Sequence, residues 1–250
     1  MGQPLRKPEE EDHRQAKAAL FDAFSQIGAA LSSGRRVELL DILSNGDRSV
    51  ERLAELAGLS VANASRHLRV LLEAGLVERR RAGLHGIYSL AGQDVHRLIA
   101  TTTAVARAHD ADIERLAARY LGSDDGVEPM TRPELQRRLQ AGGRITLIDV
   151  RPTEEYEAGH IPSARSIPLE ELRDRLEEIP KRGEIVAYCR GRYCMFADAA
   201  VRLLAQEGRK ARRLVEGLPE WQAAGLTVVP GSASAERPHV REGRSRTQRR

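Results

Sequence analysis

The chain is 250 residues long, 41% hydrophobic and 30% charged, with a formal net charge of +4 at pH 7. That length holds two domains of roughly 100 residues each, with a linker and tails. No apolar run approaches the roughly 20 residues that cross a bilayer, and the first fifteen residues hold no apolar leader-like run, so a cytoplasmic protein with no membrane partner is expected.

Residues 13–32 place Ala16, Ala19, Leu20, Ala23, Phe24, Ile27 and Leu31 at the spacing of an amphipathic helix. Ser33-Gly34 breaks it. Residues 37–43 predict a second helix and residues 49–57 a third, ended by Gly58. Ser60 caps a fourth that runs to about residue 73. Two extended runs, 76–81 and 87–90, flank a Gly-containing turn and read as a hairpin. Residues 94–121 predict one long helix.

Residues 122–129 have the composition of a linker. Beyond them the pattern alternates: a helix from Thr131 to Ala141 with Pro133 in its first turn, a strand at 145–150, and a helix at 168–176. A strand at 185–188, a helix at 197–207, a strand at 211–214 and a short helix at 217–224 follow. Such alternation implies an α/β unit with a mostly parallel sheet. The expected fold is therefore multidomain, with a mostly-α winged helix-turn-helix domain over residues 13–121 and an α/β domain over 130–229. Residues 230–250 form a basic tail expected to be disordered. Its Arg237, Arg241, Arg244, Arg246, Arg249 and Arg250 against Glu236 and Glu242 give 6 − 2 = +4, the whole net charge. The tail either adds nonspecific phosphate contacts or is merely solvated.

Residues 58–68 follow the order helix, tight turn, helix. In a helix-turn-helix the second helix enters the major groove and its first turns face base edges. Leu68, Leu71 and Leu72 share one face and are expected to pack inward. Val61, Ala62, Asn63, Ser65, Arg66 and His67 lie along the N-terminal portion, the candidate DNA-reading surface. Asn63 and Arg66 suit base or phosphate contacts, and Ser60 and Ser65 are short donors for phosphate. The hairpin carries Arg79, Arg80, Arg81 and His85, a wing for the adjacent backbone or minor groove. Residues 60–72, followed by Glu73-Ala74-Gly75-Leu76-Val77, resemble the winged-helix repressors of the ArsR/SmtB family over about residues 15–120. The resemblance implies a homodimer on double-stranded DNA with an inverted-repeat operator, the first and last helices forming the interface. Many members sense metals. The thiolate site on the third helix would need cysteines near Ser49 and Glu51, where none stands. The last-helix site starts with Asp94 and His96, but its later positions fall on Arg107 and Asp110, with His109 out of register. A set containing Arg does not suit a cation, so neither a metal nor another cofactor is expected.

Both cysteines fall in one stretch, Cys189-Arg190-Gly191-Arg192-Tyr193-Cys194, between the apolar run 185–188 and a helix-like stretch from Phe196. Loop amides and a helix N-terminus favour an anion there, and Arg190 and Arg192 add positive charge. The loop is read as a catalytic one with a lowered thiol pKa. Leu147-Ile148-Asp149-Val150-Arg151, Glu154-Glu155-Tyr156, the run from Gly159-His160 to Pro168, Val186-Ala187-Tyr188-Cys189 and Gly217-Leu218-Pro219-Glu220-Trp221 together resemble the rhodanese domain. The resemblance implies a persulfide on Cys189, taken from thiosulfate or another sulfane-sulfur donor and passed to a thiol. Asp149 is read as structural support of the active loop, and Arg151 as either its partner or part of the pocket. Gly159-His160 is read as a fold-forming turn.

The loop departs from the usual pattern at Cys194, where many rhodaneses place Arg or another polar residue. Met195 stands where the related phosphatases need Arg, which argues against phosphatase chemistry. Cys194 is either a second nucleophile able to attack a persulfide on Cys189 or a small buried hydrophobe at the helix start. The combined reading is a DNA-binding transcriptional regulator, a repressor, that senses or handles sulfane sulfur through Cys189. The rival is a sulfurtransferase tethered to DNA, with catalysis independent of regulation.

Overall fold

The computed structural model describes residues 7–83, 85–121 and 127–231, and the side chains of 7–9 and of His85 fall outside that description. The expected tail beyond residue 231, most of the linker, and Leu84 in the hairpin turn lie outside the described residues.

In the N-terminal part, α1 (Lys7–Leu31) and α2 (Gly34–Leu43) precede a two-residue strand, β1 (Arg48–Ser49). Next come α3 (Val50–Leu56), α4 (Val61–Glu73), β2 (Val77–Ala82), β3 (His85–Leu90), α5 (Gln93–His109) and α6 (Asp112–Leu121). Two hydroxyls start the helix-turn-helix. Ser49 Oγ accepts a hydrogen bond from the Arg52 N–H, and Ser60 Oγ accepts one from the Asn63 N–H, both at 3.3 Å. Each cap satisfies an amide that the helix leaves without a partner. Leu39, Leu40, Leu53, Leu68 and Leu71 are fully buried in one cluster with Val77, Tyr88, Val95 and Ile99. Each fully buried leucine stabilises by about 1.5–3 kcal/mol. This cluster fixes α4 so that its opposite face is left to solvent. β1, β3 and β2 form an antiparallel sheet in that order, with Arg79 opposite Tyr88 and Arg80 opposite Ile87.

The helix expected over 94–121 is divided. Asp110 leaves the helical region at φ −117° and ψ 107°, and its carboxylate accepts the Asp112 N–H at 2.9 Å. A short acidic side chain that caps the following turn competes with helix continuation. Periodicity alone does not register that competition.

The C-terminal part runs β4 (Pro129–Met130), α7 (Arg132–Gln140), β5 (Ile145–Asp149), α8 (Thr153–Ala158) and β6 (Arg165–Ser166). It continues with a 3-10 turn at Leu176–Glu178, β7 (Glu184–Tyr188), α9 (Phe196–Gln206), β8 (Ala211–Leu214) and α10 (Leu218–Ala223). The five strands are parallel in the order β4-β8-β7-β5-β6. β7 sits in the middle, and Ile185, Val186, Ala187 and Tyr188 are all buried. A parallel strand covered on both faces reads as a continuous apolar run, which is why 185–188 is legible.

The helix expected over 168–176 is a series of turns. Leu169 donates its N–H to the Val150 carbonyl at the end of β5, and three-residue bonds such as Leu172 N–H to Leu169 O and Asp174 N–H to Glu171 O follow. Leu172 is fully buried, so this segment is drawn against the sheet instead of coiling.

Candidate functional site

Cys189 follows β7 at the carboxyl end of the central strand, the position where open α/β sheets place ligand sites. The chain then turns, with the Cys194 N–H donating to the Gly191 carbonyl at 3.1 Å, and enters α9. Cys189 is buried, while Arg190, Gly191, Arg192, Tyr193 and Cys194 are half-buried. Both thiols are free, and Cys189 Sγ lies 3.4 Å from the Cys194 carbonyl oxygen.

Two glycines shape the loop. Gly191 has φ 151°, a value that side-chain-bearing residues rarely adopt. A Cβ at Gly217 would collide with the Gly191 amide nitrogen and the Cys189 carbonyl oxygen. Gly217 thus allows the chain after β8 to lie directly against the thiol loop, and Leu218 donates its N–H to the Cys189 carbonyl at 3.4 Å.

Two ion pairs fix the surroundings. Arg190 Nε and Nη2 grip both oxygens of Glu155 at 2.8–3.1 Å, with the guanidinium 4.9 Å from the Phe196 ring centroid. Glu155 is buried on α8. Asp149 and Arg151 are both fully buried. The Asp149 carboxylate accepts the Arg151 backbone N–H at 3.0 Å, Nε at 2.9 Å and Nη2 at 2.6 Å, and Nη2 also donates to the Gly159 carbonyl at 2.7 Å. This places Arg151 as the clasp between the end of β5 and the Gly159-His160 turn. Neither Glu155 nor Gly217 stands out as a functional residue by composition. Their signal lies in the motif blocks that contain them.

The electrostatics differ from the expectation of a lowered Cys189 pKa. Burial pushes the Cys189 thiol well above the usual range, against the weaker pull of the Gly191 and Ala197 backbone groups. Cys194 is the thiol pulled down, to about 7, first by the hydrogen bond from Cys189 and with help from backbone groups at Phe196 and Arg190 and from the Arg190 charge. Arg190, committed to Glu155, acts on the more open cysteine.

In the other unit, Val61, Ala62, Asn63 and Arg66 are exposed on α4, Ser65 and His67 are half-buried, and Leu68 and Leu71 face the core. Ser60 is exposed but its oxygen is engaged as the helix cap. Arg69, which the sequence reading did not single out, is exposed on the same helix. On β2, Arg79, Arg80 and Arg81 are exposed. Arg79 lies over Tyr88 at 5.8 Å, and Arg80 reaches Asp47 at 3.2 Å. Strand alternation sends Arg79 and Arg81 to one face and Arg80 to the other. His85 belongs to β3. Among the described residues, no group of three or more His, Cys, Asp or Glu is placed to hold a metal ion, and no helix is long and apolar enough to cross a membrane.

A winged helix-turn-helix joined to a parallel sheet with a strand-end thiol loop defines a regulatory protein with a rhodanese-like domain. Residues 33–79 match the model for bacterial regulatory proteins of the arsR family, and residues 131–224 match the rhodanese-like domain. An HTH-type transcriptional regulator of Mycobacterium tuberculosis is 49% identical over 216 residues, covering 86% of this chain and 94% of its own. A sulfurtransferase of Allochromatium vinosum is 30% identical over 103 residues, 41% of this chain and 95% of its own. The solution structure of a homodimeric winged helix-turn-helix domain from Mycobacterium bovis is 45% identical, covering 37% of this chain and 86% of that one, with a TM-score of 0.36. The chain belongs to the arsR family of bacterial regulatory proteins, as a transcriptional regulator whose helix-turn-helix is followed by a rhodanese-like domain.

Proposed function

We propose that the chain is a cytoplasmic, homodimeric repressor whose rhodanese-like domain takes sulfane sulfur as a persulfide on Cys189, and that loading changes affinity for an inverted-repeat operator. The observation that carries this reading is the loop itself: a buried thiol at the end of the central strand, paired with a second thiol and set among half-buried arginines. A thiosulfate ion or a persulfide supplies the sulfane sulfur, and no cofactor is needed. On the DNA side, Val61, Ala62, Asn63, Ser65, Arg66 and His67 read the groove, Ser60 closes the helix end, and Arg79, Arg80, Arg81 and His85 hold the backbone. Leu20, Phe21 and Phe24 on α1 and Leu116 and Tyr120 on α6 are exposed apolar side chains suited to a second copy of the chain. The domain limits that go with this reading are 13–121, 130–229 and a tail from 230.

The test is operator affinity at fixed salt, with the protein reduced and then treated with a persulfide donor. Coupling of about 1–3 kcal/mol, or 5–150-fold, is expected. Cys189→Ser should abolish the change. A second reading, a sulfurtransferase tethered to DNA, is favoured by the similarity to a sulfurtransferase along nearly that protein's whole length. Under it, thiosulfate:cyanide transfer proceeds and DNA affinity stays constant at full sulfur loading.

A further inference from the structure

The rhodanese-like reading uses one thiol, and the loop holds two free ones, with Cys189 Sγ 3.4 Å from the carbonyl oxygen of Cys194 itself. Cys189 is 2% exposed and closed in behind the loop, and its partner Cys194 is the more open of the two. We propose that Cys194 resolves the Cys189 persulfide into an internal Cys189–Cys194 disulfide with release of hydrosulfide, so that the lasting product of sulfur exposure is a bridged loop. The proposal rests on the reading that Cys189 accepts sulfane sulfur.

The step balances within the loop. The Cys194 thiolate attacks the inner sulfur of the Cys189 persulfide. A bond forms between the two cysteine sulfurs, the bond from Cys189 to the outer sulfur breaks, and that sulfur leaves with the electron pair and its proton as hydrosulfide. Two thiols become a disulfide and the sulfane sulfur is reduced to sulfide, so the donor is the only oxidant. The direction follows from leaving-group strength. Attack on the outer sulfur would expel the Cys189 thiolate, whose charge is disfavoured by burial, whereas attack on the inner sulfur expels hydrosulfide, a weaker base that escapes to water. Cys194, with its proton lost near pH 7, supplies the nucleophile.

A bridge across residues 189–194 would involve the Gly191 turn, the backbone against which Gly217 packs and the start of α9. Sulfur chemistry would then reach backbone that a pendant persulfide leaves unchanged.

The test uses the full chain, reduced, freed of small thiols and treated with glutathione persulfide, then analysed by intact mass after alkylation and by a sulfide assay. The wild type is expected to lose two hydrogens, retain no added sulfur, and release about one sulfide per chain beyond that of Cys189→Ser. Cys194→Ser and Cys194→Ala are expected to hold the extra sulfur on Cys189 and release none. Two variants guard against a change at the helix start, and far-ultraviolet circular dichroism checks each. A wild-type persulfide as persistent as that of the Cys194 variants overturns the proposal, as does a bridge that keeps the added sulfur. Absence of sulfur from Cys189 in the Cys194 variants overturns the loading step, and the bridge with it.

Discussion

Glu155 on α8 holds Arg190 of the thiol loop through three contacts of 2.8–3.1 Å, and the Glu155 side chain is only 3% exposed. Arg190, which follows Cys189 in the loop, is therefore a structural cation as well as an electrostatic one. Glu155→Ala strands a guanidinium that is itself 26% exposed, so it should destabilise the rhodanese-like domain by about 3 kcal/mol in urea unfolding. Adding Arg190→Ala should restore part of that loss, and a double-mutant cycle reads the coupling. Strict additivity would mean that the pair contributes nothing.

Asp149 and Arg151 form a different kind of pair, both fully buried, with the guanidinium also reaching the Gly159 carbonyl. Removing Arg151 alone leaves a buried carboxylate, and removing Asp149 alone leaves a buried cation. Either change should cost about 3–5 kcal/mol, more than the joint replacement by apolar residues of similar volume. Urea melts of Asp149→Asn, Arg151→Met and the double variant check this. Arg151→Lys should not rescue, because an ammonium lacks the planar fork that serves Asp149 and Gly159 together.

Both domains were legible because long signals mark them: α4 with its Ser60 cap and inward leucines, and the apolar run of β7 before Cys189. The two-residue strands β1, β4 and β6 carry no period to detect and exist only through their neighbours. The helix expected over 168–176 was lost to tertiary anchoring at Leu169 and Leu172. The thiol loop was visible as a motif, but its electrostatics were not. Arginines beside a cysteine in sequence suggested a lowered Cys189, whereas Glu155, more than thirty residues earlier, takes Arg190, and burial governs Cys189. The role of Gly217 is likewise a matter of backbone proximity, which spacing along the chain does not encode.

On the proposed DNA-facing side, Arg66 and Arg81 are exposed, and Arg80 is shared with Asp47. If Arg81 meets phosphate, Arg81→Ala should weaken binding to all sequences alike and reduce the salt slope by about 1 per subunit. Arg66→Ala should in addition relax discrimination among operator variants. Asp47→Ala frees Arg80 and removes a negative charge from the wing, so nonspecific affinity should rise, by at most about 1 kcal/mol given the exposure of the pair. Fluorescence anisotropy over a salt series separates these effects. A salt slope unchanged by Arg81→Ala would remove the wing from the interface.

Gly217→Ala tests the close approach behind the loop. The added methyl meets the backbone of Cys189 and Gly191, not a flexible side chain that could swing away. The backbone must shift, at a cost of about 1–3 kcal/mol. Sulfur loading of Cys189, followed by intact mass, should slow in the folded variant. Loading at the wild-type rate would show that the loop tolerates displacement there.

The thiol pair also sets a pH dependence. With Cys194 lowered to about 7, its alkylation rate should reach half its maximum near that pH. Cys189→Ala removes the hydrogen bond that is the largest cause, and the midpoint should move up toward the ordinary thiol range. An unmoved midpoint would assign the effect to the Arg190 charge and the backbone instead. The sign for stability follows from linkage. Between pH 7 and the ordinary thiol value the unfolded chain holds the Cys194 proton and the folded chain does not, so this group adds stability as pH rises through that window. Cys189 acts oppositely: above the ordinary thiol value the unfolded chain has lost a proton that the folded chain retains, and stability falls with pH. Urea midpoints across that range should therefore rise and then fall in the wild type. Cys194→Ser should lose the rise, and Cys189→Ala should lose the fall and, with the main cause of the Cys194 lowering removed, most of the rise as well.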